Sequence, residues 1–129
     1  MPVELRYLTY VSVLTALLWV PYILNEISVR GLLGAVGYST APKPLAQWAQ
    51  RLKAAHYNAV ENLVVFAALV LTAYALGIHS SAVAACAIVY FWARLVHAIV
   101  YTLAIPWLRT LAFVVGWAAQ ICIALQILR

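Results

Sequence analysis

Four apolar runs, separated by glycine- and proline-bearing breaks, constrain this chain more than any other feature. They are Leu5–Ile27, Ala59–Gly77, Ser81–Ile105 and Trp107–Leu128. A helix needs about 20 residues to cross the roughly 30 Å of bilayer hydrocarbon, and each run is about that long. Gly31, Gly34, Gly37, Pro42 and Pro44 follow the first run, Gly77 to Ser81 follows the second, and Pro106 divides the last two. Pro21 falls inside the first run and is a candidate kink. Hydrophobic residues make up 67% of the 129 and charged residues 9%, with a mean hydropathy of +0.99. A soluble domain would need far more polar surface. The expected fold is all-α and integral to the membrane: one domain, 1–129, with spans near 5–27, 45–77, 81–105 and 107–128, packed as a left-handed four-helix bundle.

The second helix is expected to start near Pro44, with proline in its first turn, and to outrun the bilayer on the side of the first loop. Its early turns are basic and amphipathic, with Gln47, Gln50, Arg51 and Lys53. Arg30, Lys43, Arg51, Lys53 and Arg109 belong to that side, against Arg6 and Arg129 on the other. The positive-inside rule then predicts both termini outside and the first and third loops in the cytoplasm. A net charge of +5 spread over several loops makes no nucleic-acid patch. No metal or haem motif exists, and Cys86 and Cys122, both within apolar runs, read as small buried apolar residues. The first run is too long and too interrupted by Tyr7, Tyr10 and Trp19 for a cleavable signal. His79 reads as a surface residue, and Trp48, Trp92, Trp107 and Trp117 as interface anchors or packing.

Polar residues inside the apolar runs cost free energy, roughly 2.5–3.5 kcal/mol for an ionised one at the helix centre, so each needs a partner or a task. Arg51, Asn58, Glu61 and Asn62 fall within one arc of the second helix, with His56 pointing elsewhere. Arg94, His97 and Tyr101, three and four residues apart, form a stripe on the third. Glu61 facing Arg94 would make both tolerable. Arg109 opens the fourth helix at a similar height. A polar pocket near the cytoplasmic membrane edge is therefore expected, lined by Asn58, Glu61, Arg94, His97, Tyr101 and Arg109. Its excess of positive charge suits a small anionic ligand whose apolar partner arrives from the lipid. The competing reading is a buried pair that only fixes helix register.

The run Arg51-x-x-Ala-Ala-His56-x-Asn58-x-x-Glu61-Asn62, followed by Phe66, resembles the signature of the MAPEG family, the membrane-associated proteins of eicosanoid and glutathione metabolism, in a bacterial-type form. Ala93-Arg94-Leu-Val-His97 through Tyr101, then Pro106 and Arg109-Thr110, resembles that family's later motifs, and Val29-Arg30 its first-loop arginine. The resemblance spans essentially the whole chain. It implies a homotrimer of four-helix subunits in the bacterial inner membrane, with glutathione as co-substrate between subunits near the cytoplasmic side. It implies that Asn58, Glu61, His97, Tyr101 and Arg109 hold glutathione, that a neighbour supplies Arg30, and that Arg94 supports the site. Arg109, with Thr110, would stabilise the thiolate for attack on lipophilic electrophiles or hydroperoxides drawn from the bilayer.

The chain departs from the family's glutathione-using enzymes at Ala54, where those typically carry arginine, and at Tyr57, where some do. It departs again at Phe113, where an aromatic hydroxyl sometimes stands. The missing cation at Ala54 favours the alternative of a non-catalytic lipid-binding or scaffold member of the same fold. A small four-span proton-coupled exporter fits less well, because its carboxylate belongs in the first span.

Overall fold

The first membrane-crossing element is built from two helices laid end to end. In the computed structural model, which describes residues 1–129, α1 (Val3–Leu17) and α2 (Trp19–Val36) meet at Leu18. Pro21 explains the interruption: it has no N–H to offer the Leu17 carbonyl, and its ring presses on that carbonyl. The helical run passes the expected end at Ile27 and breaks at Gly31, whose φ of 73° only glycine adopts without strain. Leu32, Leu33 and Val36 beyond it are exposed.

α3 (Gln47–Ala75) begins slightly later than expected, at Gln47 rather than near Pro44. The Asn25 side chain on α2 accepts from the Ala46 N–H at 3.0 Å, covering one of the donors that a helix start leaves unpaired. Leu45, Ala49 and Leu52 pack with Tyr22 to dock α3 on α2. The His56 Nδ1 lies 2.7 Å from the Tyr22 hydroxyl and adds a polar tie there. At 29 residues α3 is about 43 Å long, so some turns must stand outside the hydrocarbon.

α4 (Ser81–Thr102) and α5 (Pro106–Leu128) start on clear local signals. The Ser80 hydroxyl accepts from the Val83 N–H at 3.2 Å, and Pro106 opens α5 where no N–H is needed. Val3–Val36, Gln47–Ala75, Ser81–Thr102 and Pro106–Leu128 are each long and apolar enough to cross a membrane.

Packing centres on Phe66 of α3, stacked on Tyr90 of α4 with centroids 3.8 Å apart, and on Val11, Val70, Ala87, Ala119 and Ile123 around them. Small residues let α4 and α5 approach closely. A methyl added at Gly116 would touch the Arg94 Cδ at 3.6 Å and the Ala93 Cβ at 3.7 Å. Cys86 and Cys122, expected as small buried apolar residues, are half-buried and joined as a disulfide between these helices. His79 is at the surface, as expected. It is 44% exposed, but its Nδ1 lies 2.7 Å from a carboxylate oxygen of Glu4, which is only 3% exposed. The start of α1 is thereby pinned to the α3–α4 turn.

Both interhelical turns close in the same way. After α3, Gly77 N–H donates to the Tyr74 carbonyl and Ile78 N–H to the Ala73 carbonyl. After α4, Ala104 N–H donates to Tyr101 and Ile105 N–H to Val100. The motif requires a left-handed residue between helix and turn. Gly77 supplies it freely at φ 69°, whereas Ala104 at φ 61° carries a Cβ against its own carbonyl. Ala104→Gly is therefore expected to stabilise the fold by about 0.5–1 kcal/mol, offset in part by glycine's greater unfolded-state freedom. A thermal-melting series in detergent checks it, and an unchanged or lowered midpoint contradicts it.

Candidate functional site

A buried arginine organises the polar interior. Arg94 of α4 is 3% exposed, and its Nη2 donates to the Asn58 Oδ1 of α3 at 2.6 Å, a short charge-assisted bond. The same Nη2 lies 3.4 Å from His97 Nδ1. Guanidinium only donates, so Nδ1 accepts and the ring's proton resides on Nε2. Asn62 Nδ2 donates to the Asn58 carbonyl at 2.9 Å, and Gln120 Nε2 donates to the Asn62 carbonyl at 3.0 Å. Side chains from α3, α4 and α5 thus form one polar seam through an apolar bundle. The Arg94 Nε and Tyr90 hydroxyl, both buried, are left without partners.

The seam opens into a cavity of about 190 Å³ lined by Asn58, His97, Tyr101, Arg109, Thr110 and Phe113. The His97 ring stands edge-on to Tyr101 at 5.5 Å, and the Arg109 guanidinium sits 4.8 Å from the Tyr101 ring centroid, a cation–π contact. Arg109 has no carboxylate partner, because the chain's two ion pairs, Arg30–Glu26 and His79–Glu4, lie elsewhere. Five of the expected residues, Asn58, Arg94, His97, Tyr101 and Arg109, therefore converge. Thr110 lines the cavity, but its hydroxyl donates to the Pro106 carbonyl at 3.2 Å, a bond it would have to release before donating to a ligand.

Glu61 is the correction. The carboxylate expected opposite Arg94 is exposed on the outside of α3, and Asn58 takes its place. The cause is angular. Asn58 and Asn62 differ by about 40° around the helix and both turn inward, whereas Glu61 lies about 60° from Asn58 and 100° from Asn62, on the outer side. The buried Arg94–Glu61 pair does not exist within the chain. Arg30, expected to serve the site of a neighbouring subunit, lies outside this cavity. Its Nη1 meets Glu26 at 2.6 Å and its Nε donates to the Lys43 carbonyl at 2.7 Å, beside a separate polar pocket in the first loop.

Gln120 and Arg51 contribute without having been among the expected site residues. Gln120 gave no signal, since a lone glutamine in an apolar run can face anywhere. Arg51 did give one: it precedes Asn58 by seven residues, two helical turns on the same stripe. Its Nε donates to the Thr102 carbonyl at 2.9 Å, bringing it to the end of α4 beside Tyr101.

Asn58 is the residue whose loss should cost most. Asn58→Ala removes the principal acceptor of a buried guanidinium and is expected to destabilise by about 1.5–3 kcal/mol, while Asn58→Asp, which restores an acceptor, costs less. Paired thermal melts decide this; equal losses from both substitutions contradict it.

No curated protein matches the chain. The sequence profile of the MAPEG family matches residues 7–129, nearly its whole length, on an all-helical chain with four helices able to span a membrane. This protein is an integral membrane member of the MAPEG family.

Proposed function

We propose that this protein is a glutathione-dependent membrane transferase or peroxidase acting on lipophilic electrophiles or hydroperoxides, working as a homotrimer in a bacterial inner membrane. In this reading both termini are outside and the first and third loops are cytoplasmic. Family membership fits glutathione-related membrane function. The observation that carries the finer reading is Arg109: a guanidinium held over the Tyr101 ring, without an acidic partner, at the wall of a polar cavity. A thiol with an ordinary pKa near 8.5 is mostly protonated at neutral pH. A partly desolvated cation beside the sulfur favours the thiolate and so raises the concentration of the attacking species.

The remaining residues have tasks consistent with this. His97 Nε2–H is free to donate to a bound ligand, because Nδ1 is occupied by Arg94. Asn58 is fixed by Arg94 and offers its amide. In a trimer, the outward Glu61 and the distant Arg30 would meet a neighbouring subunit, which gives Glu61 a partner that one chain lacks. Attack on an electrophilic carbon forms a C–S bond while the leaving group departs with its electron pair. Attack on a hydroperoxide forms an S–O bond as the O–O bond breaks and the alkoxide takes a proton; a second thiol then displaces water from the resulting sulfenic acid to give the disulfide.

The second reading, a non-catalytic lipid-binding or scaffold member, draws support from Ala54, where family enzymes carry a cation, and from the small cavity. One measurement separates the two. Ultraviolet absorbance of glutathione thiolate on purified protein is expected to rise with wild type at neutral pH and to fall at least tenfold in Arg109→Ala. No thiolate signal, no binding at millimolar glutathione and co-purified lipid in its place would favour the scaffold.

A further inference from the structure

Arg109 and Tyr101 each line two cavities. A second, more enclosed chamber of about 170 Å³, which His97 does not reach, is lined by Arg51, Tyr101, Ala104, Ile105, Pro106 and Arg109. Arg51 reaches it from α3, and its bond from Nε to the Thr102 carbonyl fixes the guanidinium while leaving both terminal amino groups uncommitted. Arg109 reaches it from the first turns of α5, bonded to no other side chain.

Charge does not balance there. Of the chain's three acids, Glu26 is held by Arg30 and Glu4 by His79. Glu61, ten residues along α3 from Arg51, is about 15 Å away along the axis. Two guanidinium groups therefore share a chamber with no carboxylate. Its wall also contains Ile105 and Pro106, where α5 begins and the positive end of its backbone dipole points outward. Ala104, the one non-glycine residue with positive φ, holds the turn that shapes this wall.

We propose that this chamber is an oxyanion subsite, in which the free amino groups of Arg51 and the Arg109 guanidinium together take a carboxylate or a phosphate. The forked geometry of arginine suits two coplanar oxygens. This deepens the reading of the adjoining cavity as a glutathione site: Arg51, one turn from Ala54, supplies a cation that position 54 lacks. A ligand spanning both chambers would lay its thiol in the one lined by His97 and a carboxylate in the one lined by Arg51. The same chemistry would accept the phosphate of an anionic lipid headgroup at the membrane edge.

The experiment pairs changes in the protein with changes in the ligand. Binding of glutathione, its glycine monoethyl ester and its diethyl ester is measured by calorimetry on wild type, Arg51→Gln and Arg51→Lys. Arg51→Gln should weaken free glutathione about tenfold, with Arg51→Lys intermediate, and should change by less than about twofold the affinity of the ester in which the paired carboxylate is blocked. A general loss of folding would lower all three ligands alike, so equal factors across them overturn the subsite while leaving the thiolate at Arg109 intact. If wild type binds no glutathione, the glutathione reading fails and the second arm decides. Phosphatidylglycerol retention, read by native mass spectrometry, should then drop in Arg51→Gln relative to wild type, with phosphatidylcholine unaffected. No difference there overturns the subsite altogether.

Discussion

The bundle depends on how one guanidinium is accommodated away from water. Arg94 lies between helices where an isolated charge is costly, and no carboxylate comes to meet it within the chain. An amide oxygen from Asn58 and a ring nitrogen from His97 do so instead, with Asn62 and Gln120 extending the network to α5. A neutral acceptor leaves the positive charge standing. The interior is therefore electrically prepared for an anion rather than neutralised in advance, and the cavity beside it inherits that bias.

The two ends of the molecule are built for different purposes. At one end the chain is closed on itself: Glu4 and His79 pin α1 to the α3–α4 turn, and Ser80 caps α4. At the other end, where Arg51 joins the last turn of α4 to α3, cations outnumber acids and cavities flank Tyr101. Closed polar pairs stabilise position without inviting a ligand, whereas unpaired cations around enclosed space do invite one. The strain at Ala104 falls at the second end as well.

Much of the site was legible because helical spacing is a strong geometric statement. Arg94, His97 and Tyr101 at three- and four-residue intervals had to share a face, and an arginine in an apolar run had to turn inward. The error at Glu61 shows where such reasoning stops. Placing Asn58, Glu61 and Asn62 in one arc was right to within a hundred degrees, yet an interhelical interface discriminates more finely, and Glu61 fell on its outer side. Glu4 and His79 stand 75 residues apart with no local pattern linking them, so their contact could not be read from either neighbourhood. The disulfide was invisible for the same reason: apolar surroundings say nothing about which residue on another helix stands opposite.

The sequence by itself determined the solvent and the secondary structure. Apolar runs of bilayer length admit only helices, since hydrocarbon offers backbone groups no other partners, and glycine and proline mark where those helices break. Tertiary structure alone decided which polar atoms meet. Rotation of each helix about its axis is set by the packing of Phe66 on Tyr90 and of small residues between α4 and α5. A few tens of degrees in that rotation separate an asparagine bonded to arginine from a glutamate turned away from it.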